Sequence, residues 1–315
     1  MKFITDNQIF LYAFAIVAGG VTGLLITDIS NLLSPLISPL IAMLLYVMFT
    51  QIPFLTLRNI LSETKFILAL LVTNFIFVPL LVWILIIIFP LPAAILLGVC
   101  LVLLTPCIDY VIPFTKLGKG DENLVLASTP LLFIIQILLL PVYLTIFIGR
   151  EITNVVSIGP FVEAFLLLIV LPLAAAVVTQ LAAKKTKAGK LLIKTAGKLP
   201  EFLMAAVLFT VVAAQIGKVY DDFNLILSVV PVYIFYLIIT PFISKFTASS
   251  FKLTPAAGRS LAFSAGTRNS LVVLPLALAL PGEWAVIASA VIVTQTITEL
   301  IGELFYIKLI PKLIK

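Results

Sequence analysis

Apolar runs of about 20 residues recur along almost the whole chain, and they leave few ways for it to fold. As helix, a run of about 20 residues crosses a hydrocarbon core of about 30 Å. Ten such runs occur, at about 9–27, 32–51, 66–89, 94–116, 122–148, 158–181, 200–217, 223–246, 257–280 and 284–308. The chain is 62% hydrophobic and 11% charged, against about a quarter charged in soluble domains. No polar surface could cover so much apolar side chain, so the solvent is lipid. A β-barrel would need short segments of alternating polarity, which this sequence lacks. The expected fold is all-α and polytopic, with ten transmembrane helices. The opening MKFITDNQIF lacks a small-residue cleavage site after a short apolar core, so no removable signal peptide is expected.

Ten spans put both termini and every second connection on one side. That side receives Lys2, Arg58, Lys65, Lys116, Lys119, the six lysines between 184 and 198, Lys245, Lys252, Arg259, Lys308, Lys312 and Lys315. The other side receives only Arg150 and Lys218. The positive-inside rule then places both termini in the cytoplasm, for a protein of the plasma membrane. The pI near 9.3 comes from these loops and points to anionic lipid headgroups rather than nucleic acid. The stretch 182–201, AAKKTKAGKLLIKTAGKLPE, reads as a cytoplasmic loop that sets orientation, with room for a short amphipathic surface helix.

There is no histidine, and Cys100 and Cys107 are the only cysteines. A zinc or haem centre built from His and Cys is excluded, and no cofactor or metal is expected. Seven helical residues give about 10.5 Å of rise, too far for a disulfide between the two.

A cut near residue 150 leaves five spans on each side, so the halves, 1–150 and 151–315, would insert with opposite orientations. Such inverted repeats are common in secondary transporters, whose sites lie at interrupted helices near the midplane. Each half has one disturbed span. In the fourth, Pro106 and Pro113 bracket CIDYVI, and each removes a backbone donor, so an unwound stretch is expected at 106–113. In the ninth, Gly266, Thr267, Arg268, Asn269 and Ser270 are five consecutive poor helix formers or polar residues. Asp109 is the one acid of the fourth span, and Arg268 is the one base within the disturbed stretch of the ninth. Placed together where the breaks meet, they would form a buried, nearly neutral pair. The alternatives are an Arg268 that snorkels to an interface and an Asp109 solvated near the cytoplasmic mouth. In the tenth span, Thr294, Gln295, Thr296, Thr298 and Glu299 give one helix face polarity. That face either lines a pathway or bonds neighbouring helices. Glu303 is expected to be solvated near the cytoplasmic end, and Gln136 of the fifth span is a further pathway candidate. Glu163 and Glu201 begin helices, where a carboxylate suits the dipole.

PCIDYVIPFTKLGKGD (106–121) resembles the fourth-helix motif of arsenite-efflux permeases, and FSAGTRNS (263–270) the ninth-helix crossover of the same superfamily, which includes the bile acid:sodium symporters. The resemblance implies a panel of spans 1, 2, 6 and 7 and a core of spans 3–5 and 8–10, with helices 4 and 9 crossing in the core. It implies that Cys107 stands where arsenite permeases carry their cysteine, a soft ligand for trivalent arsenic, and that Asn269 matches the ninth-helix asparagine. Three departures follow. Leu271 replaces the acid those permeases carry two residues past the asparagine, and Ser264 replaces the carboxylate of the sodium symporters. Arg268 stands where those symporters have an uncharged side chain, and a fixed guanidinium repels sodium.

The functional expectation is therefore a sodium-independent secondary transporter working by alternating access. It would export arsenite or a related small solute, with protons as coupling ion and Asp109 or Glu299 as carrier. The alternative is transport of a small organic anion, a carboxylate or sulfonate, bound by Arg268 and the amides of Thr267–Ser270. An enzyme is not expected, since no nucleophile–base pair is present and GKGD lacks the spacing of a phosphate loop.

Overall fold

The structure, a computed structural model, describes residues 8–26, 28–52, 63–108, 110–149, 163, 165–219 and 227–315. Asp109, Lys2, Arg58 and Arg150 lie outside the described residues, as does the side chain of Lys218.

In chain order the helices are α1 (Gln8–Leu25), α2 (Ile29–Gln51), α3 (Thr64–Ile88), α4 (Ala93–Leu103), α5 (Val111–Leu117), α6 (Glu122–Ile148), α7 (Leu166–Lys185), α8 (Lys187–Ala196), α9 (Pro200–Val219), α10 (Val230–Ser250), α11 (Pro255–Gly266), α12 (Ser270–Leu278) and α13 (Glu283–Leu313). Among the described residues there is no strand, only one isolated bridge between Pro106 and Arg268. The chain is thus an all-helical, multi-pass membrane protein. Among the described residues six helices are long and apolar enough to cross a bilayer: α2, α3, α6, α7, α10 and α13. The number rises to seven if α8 and the start of α9, bent by 49°, count as one span. The expected ten goes beyond that test, because α1 is short and the fourth and ninth runs are each split into two helices.

The helix ends follow from sequence. Thr254 caps α11 through its hydroxyl, with Pro255 at the first position, where a missing N–H costs nothing. Asp121, the last residue of the LGKGD stretch, accepts the N–H groups of Asn123 and Leu124 to start α6. Its own N–H donates to Ser260 Oγ at 2.7 Å.

The helices divide into two compact units. One comprises residues 1–51, 157–224 and 274–286, and the other 52–156, 225–273 and 287–315. In the first, α9 packs on both α1 and α2, and α7 packs on α2 and α8. Gly19 and Gly23 of α1 let the two backbones meet: a Cβ on Gly19 would lie 2.7 Å from the Phe209 carbonyl oxygen, and one on Gly23 2.5 Å from that of Ala213. This is the small-residue spacing that membrane helices use for close approach. In the second unit, α11 packs on α3, α5, α6 and α10. Apolar side chains such as Phe10, Phe14, Trp83, Ile87, Leu138 and Phe246 are largely exposed, as a lipid-facing surface requires.

Candidate functional site

The site is built where two helices stop. Just past the end of α4, Pro106 has no N–H to offer the carbonyl of Val102; that oxygen accepts the Thr105 N–H at 3.4 Å, and the Thr105 hydroxyl lies 2.9 Å from Leu101 O and 3.1 Å from Val102 O. The Cys107 N–H, which a continuing helix would give to Leu103, goes instead to the Thr267 carbonyl at 3.1 Å. Reciprocally, Asn269 N–H donates to the Thr105 carbonyl at 2.9 Å. Residues 105–107 and 267–269 thus run antiparallel for one bridge, and the two breaks lie against each other. The fourth-span break is shorter than expected. Helix resumes at Val111, and Pro113 sits in the first turn of α5, where proline is tolerated.

Breaking both helices leaves carbonyls at their C-terminal ends without partners, and Arg268 supplies the missing donors. Its guanidinium Nη1 donates to Leu103 O at 3.3 Å, at the end of α4. Nη2 shares its two hydrogens among three acceptors, Ser264 O at 2.8 Å and Ala265 O at 2.6 Å, at the end of α11, and Asn74 Oδ1 at 2.7 Å. The Tyr236 ring lies 5.7 Å from the guanidinium carbon, and its hydroxyl also donates to Ala265 O at 2.6 Å. One cation thus closes the negative ends of two helix dipoles. Arg268 is fully buried, so it does not snorkel. Among the described residues its guanidinium meets no carboxylate; the one ion pair there is Lys116–Glu122 on the surface. The expected partner Asp109 lies outside the described residues.

The carboxylate that Arg268 does reach is Glu299, through its backbone: Arg268 N–H donates to Glu299 Oε2 at 2.8 Å. Tyr110 donates to Glu299 Oε1 at 2.7 Å, and Gln295 donates its amide to Oε2. Ser270 Oγ donates to Gln295 Oε1 at 3.0 Å, so Ser270, Gln295 and Glu299 form one chain. Thr267 contacts Glu303, which is fully buried and not solvated as expected. The reason is the length of α13: its 31 residues continue past Glu303 for about three turns, so this position lies well inside the helix.

The other expected residues fall differently. Cys107 is buried in the crossing, and neither cysteine forms a disulfide. Gly266 ends α11 with the Tyr306 ring against it. Asn269 caps α12 through Oδ1 to Val272 N–H at 3.4 Å, while its Nδ2 has no partner among the described residues. Gln136 is buried with both amide atoms unpartnered among the described residues. Thr294 and Thr298 only bond carbonyls of their own helix. Sequence reasoning missed Asn74, Tyr110 and Tyr236. Asn74 had a signal, a lone amide in the apolar run LLVTNFIFV, and a π-helical turn at Thr73–Phe77 presents it.

A family model described as "Sodium Bile acid symporter family" matches residues 38–225, more than half of the chain. The match includes the first break and ends before Arg268, Glu299 and Glu303. No curated protein matches the sequence.

Proposed function

The chain belongs to the Sodium Bile acid symporter family, a family of transporters, and from that premise we propose that it is a secondary transporter in which Arg268 replaces the coupling sodium. It moves a small solute by alternating access, with protons as the coupling ion. The observation that carries this reading is the oxygen cage around the guanidinium. Four acceptors, at Asn74, Leu103, Ser264 and Ala265, surround a cation that is part of the chain. Oxygen ligands and helix C-termini suit a hard cation, and a tethered one leaves no room or charge for another.

The proposed layout is ten spans in two inverted five-span repeats, with both termini cytoplasmic in the plasma membrane. It is supported by the reciprocal pairing of 105–107 with 267–269 and by the basic residues assigned to one side. The panel-and-core arrangement is supported by the two compact units, each assembled from both halves of the chain.

For the solute, arsenite is the first reading, supported by Cys107 within the crossing, a soft sulfur beside the break. Expression in cells lacking arsenic pumps should raise arsenite tolerance, and Cys107→Ser should abolish the gain. The second reading, a small organic anion, rests on two donors at the crossing without a partner among the described residues, Arg268 Nε and Asn269 Nδ2. Thermal stabilisation by a small carboxylate, lost in Asn269→Leu, would favour it. Sodium independence is tested in proteoliposomes, with choline replacing sodium on both sides. An unchanged rate is expected, and a strong loss of rate refutes the substitution of Arg268 for sodium.

A further inference from the structure

Glu299 and Glu303 stand one turn apart on α13, both fully buried, yet they are supplied with protons differently. Glu299 receives a backbone N–H, a side-chain amide and a tyrosine hydroxyl. Two of those donors are nitrogens that cannot accept in return, and both give to Oε2, so that oxygen carries no proton; Oε1 faces the Tyr110 hydroxyl, which also lies 3.0 Å from the Arg268 carbonyl oxygen. Glu303 has one contact, Oε1 to Thr267 Oγ1 at 3.1 Å, and Oε2 has no partner among the described residues.

Thr267 has one hydroxyl proton to give. Its Oγ1 lies 2.6 Å from the Phe263 carbonyl oxygen, which only accepts. Two oxygens that close require a proton between them, and only Thr267 can supply it. The longer contact, between Thr267 and Glu303, is one to which a protonated Glu303 can donate, whereas an ionised Glu303 would have only a share of the proton that Thr267 gives to Phe263 O. Charge agrees. Arg268 and Glu299 together are neutral, and a second buried carboxylate one turn away would leave an uncompensated charge. The other titratable groups grouped with Glu303 are Tyr306 on its own helix, Tyr236 on α10 and Tyr110 ahead of α5. Among the described residues, Tyr236 and Tyr306 spend their hydroxyls on carbonyls, and the Tyr110 hydroxyl faces both Glu299 Oε1 and the Arg268 carbonyl oxygen.

We propose that Glu303 holds an exchangeable proton at the crossing and is the carrier of the coupling proton. The carrier role rests on the transporter reading above; the location of the proton does not. On release, the O–H bond of the Glu303 carboxyl breaks and the proton passes to water on the open side. The Thr267 hydroxyl then turns from Phe263 O to the new carboxylate. Phe263 O keeps the Thr267 N–H at 3.0 Å, so the end of α11 loosens by one bond beside Arg268.

The test is difference infrared spectroscopy of the full-length protein at neutral pH. It follows the carbonyl stretch of a protonated carboxylic acid and its shift in deuterium oxide. The band is expected in the wild type and in Glu299→Gln, and absent in Glu303→Gln, whose amide can still donate to Thr267 and preserve the fold. A band that survives in Glu303→Gln, or is missing from the wild type, overturns the proposal. A second arm uses proteoliposomes with arsenite as probe and an imposed pH gradient. In Glu303→Gln, gradient-driven flux should fall by about 100-fold, the lower range for losing a positioned proton-transfer group, while exchange at equal pH persists. Undiminished gradient-driven flux overturns the carrier role. A wild type that moves no arsenite refutes the arsenite reading, and the infrared result still decides where the proton sits.

Discussion

The two compact units bury polar groups in opposite ways. In the unit containing α1, α2, α7, α8 and α9, the buried polar side chains among the described residues are Thr50, Gln180 and Thr210. Its helices α1 and α9 meet backbone on backbone at Gly19 and Gly23. The other unit holds every buried charge among the described residues, Arg268, Glu299 and Glu303, with a web of hydroxyls and amides around them. Lipid provides no hydrophobic force between helices, so association depends on close packing or on hydrogen bonds. The first unit leans mainly on close packing, with a few hydrogen bonds such as Ser30 to Ala214 O, while the second adds a buried polar web to its own close approaches at Gly98 and Gly302. The polar unit pays for its broken helices with donors from side chains, and that is where a moving part with an ion site can be built.

That contrast predicts a ranking of substitutions. Arg268→Met should be the most damaging. It strips the donor from three carbonyls and Asn74 at once, and should cost about 3–5 kcal/mol, as for removal of one partner from a buried ionic cluster. The measurement is the yield of monodisperse protein and its thermal midpoint in detergent. Asn74→Leu should follow at about 1.5–3 kcal/mol, the range for a hydrogen bond to a charged group. In the glycine-packed unit, Gly23→Val should force α1 away from α9 at a cost of about 1–3 kcal/mol. Gly20→Ala, whose Cβ would sit 4.0 Å from Val212, should be close to neutral. Gln180→Leu removes donors to the Phe49 and Thr50 carbonyls and should cost about 1 kcal/mol. Lys116→Ala breaks only an exposed ion pair and should cost less than about 0.5 kcal/mol. If Gln180→Leu proved as damaging as Arg268→Met, the division between the units would not hold.

Particular residues show how far the sequence could be read. The breaks were legible because proline and a polar run in an apolar span announce themselves, and Arg268 is conspicuous where charge is costly. Its surroundings were not legible. Three of its four acceptors are main-chain carbonyls freed by the breaks, and a carbonyl carries no residue identity. The search for a carboxylate partner therefore favoured Asp109 and passed over Asn74, a neutral amide in the third run. Glu303 was misplaced for a different reason. Counting residues from the end of an apolar run assumes that the helix leaves the membrane where hydropathy falls, whereas α13 continues with one buried face, Glu303, Tyr306 and Ile310, and Glu303 lies against Thr267. Gln295 and Glu299 were separable from Thr294 and Thr298 only in three dimensions. All lie within two turns of one helix, but only the first pair turns toward the crossing.

The central claim is that the Arg268 guanidinium occupies the place of a coupling cation. It is tested most directly by the thermal stability of the purified protein in sodium and in choline at equal ionic strength. A cation that binds only the folded state raises stability by RT ln(1 + [L]/Kd). The account predicts coincident melting curves for the wild type across the sodium range. A midpoint that climbs with sodium and saturates would mean that the protein binds the ion despite its own guanidinium, and would contradict the claim.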